Sequence, residues 1–172
     1  QGTSFPSPSP ESVQPYLRAA LSFAPPQTEW LAFTDWEGIK LHQATRDVTS
    51  ASPMQERRDF LRSLSLDEAA ASGFALAYFA LQAEQWGWDT TDLLWEATVQ
   101  GPGAPVFILR LRDDFDMDGL LARFAERDFE RTAHAGALVY THPLDLTASW
   151  RTELAVFNAA VLPDENVLIH SS

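Results

Sequence analysis

The residues with the clearest chemical character form an acidic run at positions 114–119, which reads Asp-Phe-Asp-Met-Asp-Gly. A calcium loop of the EF-hand type takes oxygen ligands from its positions 1, 3 and 5, turns at a glycine in position 6 and closes with a glutamate in position 12. The first three ligand positions hold Asp114, Asp116 and Asp118. Position 12 is Ala125, and the nearest glutamate, Glu126, comes one residue later. The run therefore predicts a weak calcium site, Ca²⁺ being the one cofactor that the sequence suggests.

A second interpretation of the same run is the start of a helix. Aspartate is a preferred N-cap residue, and Asp116 directly precedes an apolar stripe of helical spacing that begins at Met117. A helix that begins there would place Met117 and Asp118 in its first turn rather than in a calcium loop. The sequence alone leaves both interpretations open.

Tryptophans are concentrated between positions 86 and 95. Trp86 and Trp88 flank Gly87 at the expected end of a helix, and Trp95 lies on the apolar side of an expected strand. Exposed indole rings would form a ligand or partner surface, for a sugar ring or for another protein. Alternatively, the indoles of Trp86 and Trp88 fill the junction between that helix and the sheet.

Motifs for catalysis are lacking. None of the four histidines has the spacing of a known metal motif, and the sequence contains no nucleophile elbow, Ser-x-x-Lys, phosphate-loop or dinucleotide-binding motif. A hydrolase whose catalytic residues come from distant positions stays open, because catalytic triads are defined by geometry rather than by sequence.

The composition indicates a compact domain with an acidic surface. The sequence has 172 residues, 45% of them hydrophobic, and a net charge of −12, and it contains no cysteine. Chains of this length bury a core large enough for stability without metals or disulfides. A strongly negative chain repels phosphate backbones and anionic lipid headgroups, so we expect neither nucleic acid nor a bare membrane surface as a partner.

The first residues differ in composition from the rest. Positions 3–10 read Thr-Ser-Phe-Pro-Ser-Pro-Ser-Pro, in which serine alternates with proline, as in flexible or polyproline linkers. We therefore expect residues 1–11 to be a linker, or in part the remnant of a cleaved tag, and residues 12–172 to form one α+β domain of a larger exported bacterial protein or lipoprotein, with a possible membrane tether outside this chain. An ordinary frayed N-terminus is the alternative.

The longest uncharged run, residues 69–83, is too short and too polar to cross a bilayer, so no transmembrane segment is expected.

The hydrophobic periodicity changes from helical to alternating near Gly87. Helices are expected over residues 12–24, 36–42, 54–64 and 66–85 and again from residue 117, with Arg57 and its neighbours Arg58 and Arg62 facing solvent. Strands are expected over residues 30–33, 93–99, 107–111, 129–133, 137–141, 154–162 and 167–170, the alternation at 93–99 being typical of a half-buried strand with Glu96 facing solvent. This order predicts an α+β fold in which a helical N-terminal half packs on an antiparallel sheet formed mainly by the C-terminal half.

Together these features predict an extracytoplasmic, periplasmic or cell-surface binding or scaffolding domain without catalytic activity, whose partner is a protein or a small molecule. One alternative is a weak calcium-dependent adhesion or carbohydrate-binding module that uses the acidic run and the tryptophan pair. The other is a hydrolase with an unrecognised site.

Overall fold

The computed structural model describes residues 10–65, 79–142 and 158–171. Its helices are α1 (Pro10–Phe23), α2 (Trp36–His42), α3 (Met54–Ser65), α4 (Phe79–Trp86) and α5 (Met117–Glu126). Its strands are β1 (Trp30–Asp35), β2 (Leu93–Gln100), β3 (Val106–Leu111), β4 (Glu130–His134), β5 (Ala137–Thr141), β6 (Asn158–Leu162) and β7 (Val167–Ser171). Short 3₁₀ turns at Thr90–Asp92 and Pro163–Glu165 precede β2 and β7. Much of the helix expected over 66–85 lies outside the described residues.

The strands form one seven-stranded antiparallel sheet in the order β1-β2-β3-β7-β6-β5-β4. The helices lie mainly in the first half of the chain and the strands mainly in the second, which confirms the predicted α+β fold. Strand β1 is the exception, because it comes from the helical half and pairs with β2 at one edge. Among the described residues, no helix is long and apolar enough to cross a membrane.

Local side chains set the starts of two helices. The carboxylate of Asp35 accepts a hydrogen bond from the backbone N–H of Gly38 at 2.8 Å and caps α2. The carboxylate of Asp116 accepts from the N–H of Gly119 at 2.9 Å and caps α5 in the same way. Each bond satisfies a helix donor that has no partner inside the helix, so both boundaries follow from nearby sequence.

Both faces of the sheet are covered. Side chains from α2, α3, α4 and α5 pack against one face, here called the four-helix face, with a core that includes Trp36, Phe60, Trp86, Phe124, Leu109 and Leu168. Helix α1 packs against the other face, here called the α1 face, over Trp95, Ala97, Val99, Ile108 and Val167. The central strands therefore bury side chains in both directions, as strands between two layers do.

This second layer corrects the prediction of a half-buried β2. Glu96, expected to face solvent, is 2% exposed and accepts a hydrogen bond from the Trp36 indole N–H at 3.3 Å. An irregularity in the register between Leu93 and Trp95 also sends these two side chains to opposite faces, although their spacing predicted the same face. Strict alternation in a sequence cannot reveal a second covering layer or a bulge.

The hairpin between β4 and β5 turns at Ala135 and Gly136, as the sequence predicted, and His134 pairs with Ala137 across it. Both turn residues have positive φ, 49° for Ala135 and 87° for Gly136. Two consecutive residues with positive φ match the twist of a two-residue hairpin, which favours glycine in the turn.

We expect Gly136→Ala to lower the free energy of unfolding by about 1 kcal/mol, because an added Cβ is strained at positive φ. No atom lies within 4 Å of the position that this Cβ would take, so the loss would come from the backbone alone. Gly103→Ala is the matched control, since its added Cβ also meets nothing within 4 Å and its φ is not positive. Urea unfolding of both variants provides the measurement, and equal stabilities would contradict the assigned turn geometry.

Candidate functional site

The densest polar cluster lies at the turn that leads into β2. Asp89 accepts hydrogen bonds from the backbone N–H of Thr91 at 2.7 Å and from its hydroxyl at 2.5 Å. Asp92 in turn accepts from the backbone N–H of Asp89 at 3.1 Å, which completes a reciprocal capping box. Both carboxylates are fully buried. The turn therefore brings two acidic groups into the interior within four residues of each other.

Arg57 on α3 compensates the first of these carboxylates. Its guanidinium forms an ion pair with Asp89, and its side chain is almost fully buried. Burial raises the pKa of Asp89, while the hydrogen bonds from Thr91 and the charge of Arg57 act in the opposite direction. The prediction that Arg57 faces solvent is therefore wrong: a helical pattern assigns an arginine outward, but here a buried carboxylate pairs with it.

The second carboxylate connects the cluster to the surface. Asp92 accepts from the backbone N–H of Ser50 at 3.2 Å and from Nε of Arg112 on the loop after β3 at 3.1 Å. The same guanidinium reaches the exposed carboxylate of Asp114 at 2.6 Å. The hydrogen bond from Arg112 lowers the pKa of Asp114, so that carboxylate is held ionised at the outer end of the cluster.

Lys40, the only lysine in the sequence, approaches the cluster from α2. Its ammonium donates to the backbone carbonyl of Thr91 at 2.8 Å, and its side chain is almost fully buried. Burial lowers the pKa of Lys40, and the charge of Asp92 opposes that change. The cluster thus connects α2, α3, β2 and β3. Because each of its buried carboxylates is already hydrogen-bonded, it acts as an internal clamp and does not present a free acid to a substrate.

The structure separates the three aspartates of the predicted calcium site by role. Asp114 pairs with Arg112, Asp116 caps α5, and Asp118 is exposed in the first turn of that helix. Met117 is buried in the first turn of α5, whereas a calcium loop would need this residue outside a helix. The part of the chain described here contains no group of three or more acidic or histidine side chains placed to hold a metal ion. Calcium binding at this run stays a prediction, and the geometry favours the capping interpretation.

Both predicted surface tryptophans lie in the core. Trp86 is 2% exposed and Trp88 is 1% exposed. The Trp86 ring lies 4.9 Å from Phe124 and 5.8 Å from Phe129, measured between ring centroids, and the Arg127 guanidinium lies 4.9 Å above it. The prediction of an exposed aromatic platform is therefore corrected in favour of the alternative, in which the indoles fill the junction between helix and sheet. Burying such large apolar rings stabilises the fold more than leaving them in water.

One cleft brings residues of the two predicted sites together. A volume of about 320 Å³ between the end of α4 and the start of α5 is lined by both Trp86 and Asp116, with Arg123 and Glu126 among the other residues. The Arg123 guanidinium donates to the carbonyl of Gln85 at 3.1 Å and so caps the end of α4. The Arg123 guanidinium thus contacts the end of α4 within the fold. The lining of the cleft contains no histidine. The described lining of this cleft therefore contains no pair of a histidine and a carboxylate.

Local sequence patterns carry no signal for the exposure of Trp30, the most accessible aromatic side chain among the described residues of the sheet. Trp30, the first residue of β1, is 56% exposed. Its strand is one of the two edges of the sheet, and this strand, Trp30–Asp35, is here called the β1 edge. Which strands lie at an edge depends on pairing between distant segments, so local patterns cannot identify this surface.

Comparison with known proteins gives no relative: no family model matches the chain, and neither the curated proteins nor the solved structures provide a match.

We expect Arg57→Leu to lower the free energy of unfolding by about 3 kcal/mol, because it leaves the Asp89 carboxylate buried without its cation. The double variant Arg57→Leu/Asp89→Asn should be less destabilised than Arg57→Leu alone, since no uncompensated charge remains. The exposed neighbour Arg58 is the control, and Arg58→Leu should change stability by less than about 0.5 kcal/mol. Urea unfolding of all four proteins measures these differences. Equal losses at positions 57 and 58 would refute the clamp.

We expect Asp116→Ala to lower the free energy of unfolding by about 1 kcal/mol through loss of the α5 cap, by the same amount in calcium and in chelator. Asp118→Ala is the control, because Asp118 makes no cap and should contribute less. Thermal melts at matched ionic strength provide the comparison. If calcium raised the Tm of the wild-type protein and Asp116→Ala removed that rise, the acidic run would be a metal site and the capping interpretation would be incomplete.

Proposed function

We propose that this chain is a non-catalytic binding or scaffolding domain of an extracytoplasmic bacterial protein, and that its partner protein adds an extended segment to the β1 edge. The observation that carries the proposal is the exposed Trp30 on an apolar edge strand. Strand addition is a common mode of peptide recognition, in which backbone hydrogen bonds provide affinity and alternate side chains provide specificity.

The two edges of the sheet differ in their protection. Strand β4 carries charged or polar side chains at Glu130, Arg131 and His134, and all of its residues are exposed. Such charges discourage pairing with another strand. The β1 edge reads Trp-Leu-Ala-Phe-Thr-Asp and contains no lysine, arginine or proline. An edge without these protective residues is suited to pairing with a partner.

The charge of the chain supports a basic partner rather than a second copy. Glu29 and Asp35 flank the apolar residues of the β1 edge, and the chain carries a net charge of −12. Two copies would bring like charges together along this edge, whereas a segment rich in lysine or arginine would be attracted to it. We therefore assign the β1 edge to an extended basic segment of another protein.

Trp30 would be the main anchor of this interaction. A tryptophan that is half exposed before binding and covered after it buries a large apolar area, and tryptophan is enriched among residues whose truncation weakens binding most. The extracytoplasmic location is supported by the serine- and proline-rich residues 3–10, which resemble a tether between an anchor and a domain.

The test begins with a displayed library of random peptides selected on the full chain. Peptides that bind should be enriched in lysine and arginine, and their synthetic forms are then titrated by calorimetry. Trp30→Ala should weaken their binding about tenfold or more, because it removes the anchor while leaving the core intact. Leu21→Ala is the matched control: Leu21 is equally exposed but lies on α1, so its truncation should leave the affinity unchanged.

Hydrogen exchange locates the bound peptide. Amides of residues 30–35 should become protected on binding, while those of β4 should not. The proposal fails if no peptide is selected, if protection falls elsewhere, or if Trp30→Ala binds as well as the wild type. A concentration-dependent dimer that Trp30→Ala abolishes would replace the basic partner by a second copy of the chain.

A further inference from the structure

A second cleft lies on the α1 face of the sheet, beside Trp95 of β2. Helix α1 contributes Tyr16 and Phe23 to its lining, the sheet contributes Trp95 and Val167, and the volume is about 260 Å³. Arg110 and Glu165 complete the polar part of the lining. Small-molecule sites are mostly apolar with a few placed polar groups, and this volume falls near the lower end of their range of about 300–1,000 Å³. The cleft is therefore suited to a small ligand.

The two charged residues of this cleft differ in whether they form an ion pair. The Arg110 guanidinium donates to the carboxylate of Asp113 at 2.5 Å and also to the carbonyl of Leu111. Its charge is neutralised by that ion pair. Glu165 is exposed at the rim, and no hydrogen bond or ion pair joins its carboxylate to another residue in the described ranges. The charge that remains available to a ligand is therefore negative.

The aromatic side chains of the lining also favour a positively charged ligand. Tyr16, Phe23 and Trp95 present three aromatic side chains to one small volume. The faces of aromatic rings attract cations, by about 0.5–2 kcal/mol for each contact according to how far the cation is desolvated. The net charge of −12 adds a long-range attraction for cations over the whole surface.

The cleft contains few hydrogen-bond acceptors, and this determines which kind of cation it can bind. A primary ammonium has three N–H donors and loses stability in a cleft that cannot accept from them. The acceptors among the lining side chains are the Tyr16 hydroxyl oxygen, whose proton is donated to Glu37 at 2.6 Å, and the carboxylate of Glu165, the one carboxylate in the described lining. A fully methylated ammonium has no N–H donors and needs only apolar contact and a nearby negative charge. We propose that this cleft binds a small quaternary ammonium compound.

The experiment titrates the full chain, labelled with ¹⁵N at tryptophan, with choline chloride at ionic strength matched by sodium chloride. The indole resonance of Trp95 should shift and saturate, because its ring lines the cleft. Two probes test the chemistry: 3,3-dimethylbutan-1-ol, which is the neutral carbon isostere of choline, and ethanolamine, which carries a primary ammonium. Both should bind more weakly than choline, the alcohol for lack of charge and the amine for lack of acceptors.

Variants test the residues. Glu165→Gln should weaken choline binding several-fold, since it removes the free carboxylate and keeps the shape of the side chain. Asp164→Asn is the matched control, because Asp164 is an exposed acid in the same turn that does not line the cleft. Phe23→Ala should weaken binding of choline and of its neutral isostere alike. Both acidic positions are exposed, so neither change threatens the fold.

Four results would overturn the proposal: no saturable shift of Trp95 with choline, equal affinity for the neutral isostere, tighter binding of ethanolamine, or an equal effect of Glu165→Gln and Asp164→Asn. The second would leave an apolar cleft without charge selection. The third would point to a primary amine, such as the lysine side chain of another protein.

Discussion

The fold depends on the compensation of two carboxylates that the chain buries just before β2. Asp89 and Asp92 have no contact with water, and a buried charge destabilises a protein strongly unless a cation and hydrogen bonds offset its desolvation. Arg57 from α3 and Arg112 from the loop after β3 supply the cations. Lys40 of α2 binds the carbonyl between the two acids. Helices α2 and α3 and the loop after β3 must therefore meet at the turn before β2, which fixes where α2 and α3 lie on the four-helix face.

The helices that pack on the sheet determine which of its surfaces remain accessible to a partner or a ligand. The four-helix face is occupied by a core of large aromatic side chains, including both tryptophans expected at the surface. Among the described residues, α1 is the one helix that packs on the opposite face, and a cleft lies between it and Trp95. The sheet also keeps an apolar edge at β1, beyond the helices. The two proposed sites are thus an edge strand of the sheet and a cleft between α1 and the face that it covers.

Features set by neighbouring residues could be read from the sequence, and features set by distant contacts could not. The caps at Asp35 and Asp116 and the turn at Gly136 depend on a few adjacent residues, so the boundaries of α2, α5 and the β4–β5 hairpin were predictable. The burial of Arg57 depends on a carboxylate 32 positions away, and helical spacing carries no record of it. The candidate sites were missed for the same reason. The exposure of Trp30 follows from the order of the strands, and Glu165 lines a cleft only because α1 packs close to its turn.

The strand order also has a consequence for how the molecule is made. Strand β7 lies between β3 and β6, and it is the only strand that joins the part formed by β1, β2 and β3 to the part formed by β4, β5 and β6. It is also the last of the seven strands to leave the ribosome. Until β7 has been synthesised, β3 and β6 lack the strand that pairs with both of them in the folded protein, so the two parts of the sheet cannot be joined. Pairings between distant segments form slowly, so a nascent chain of this topology stays open during synthesis.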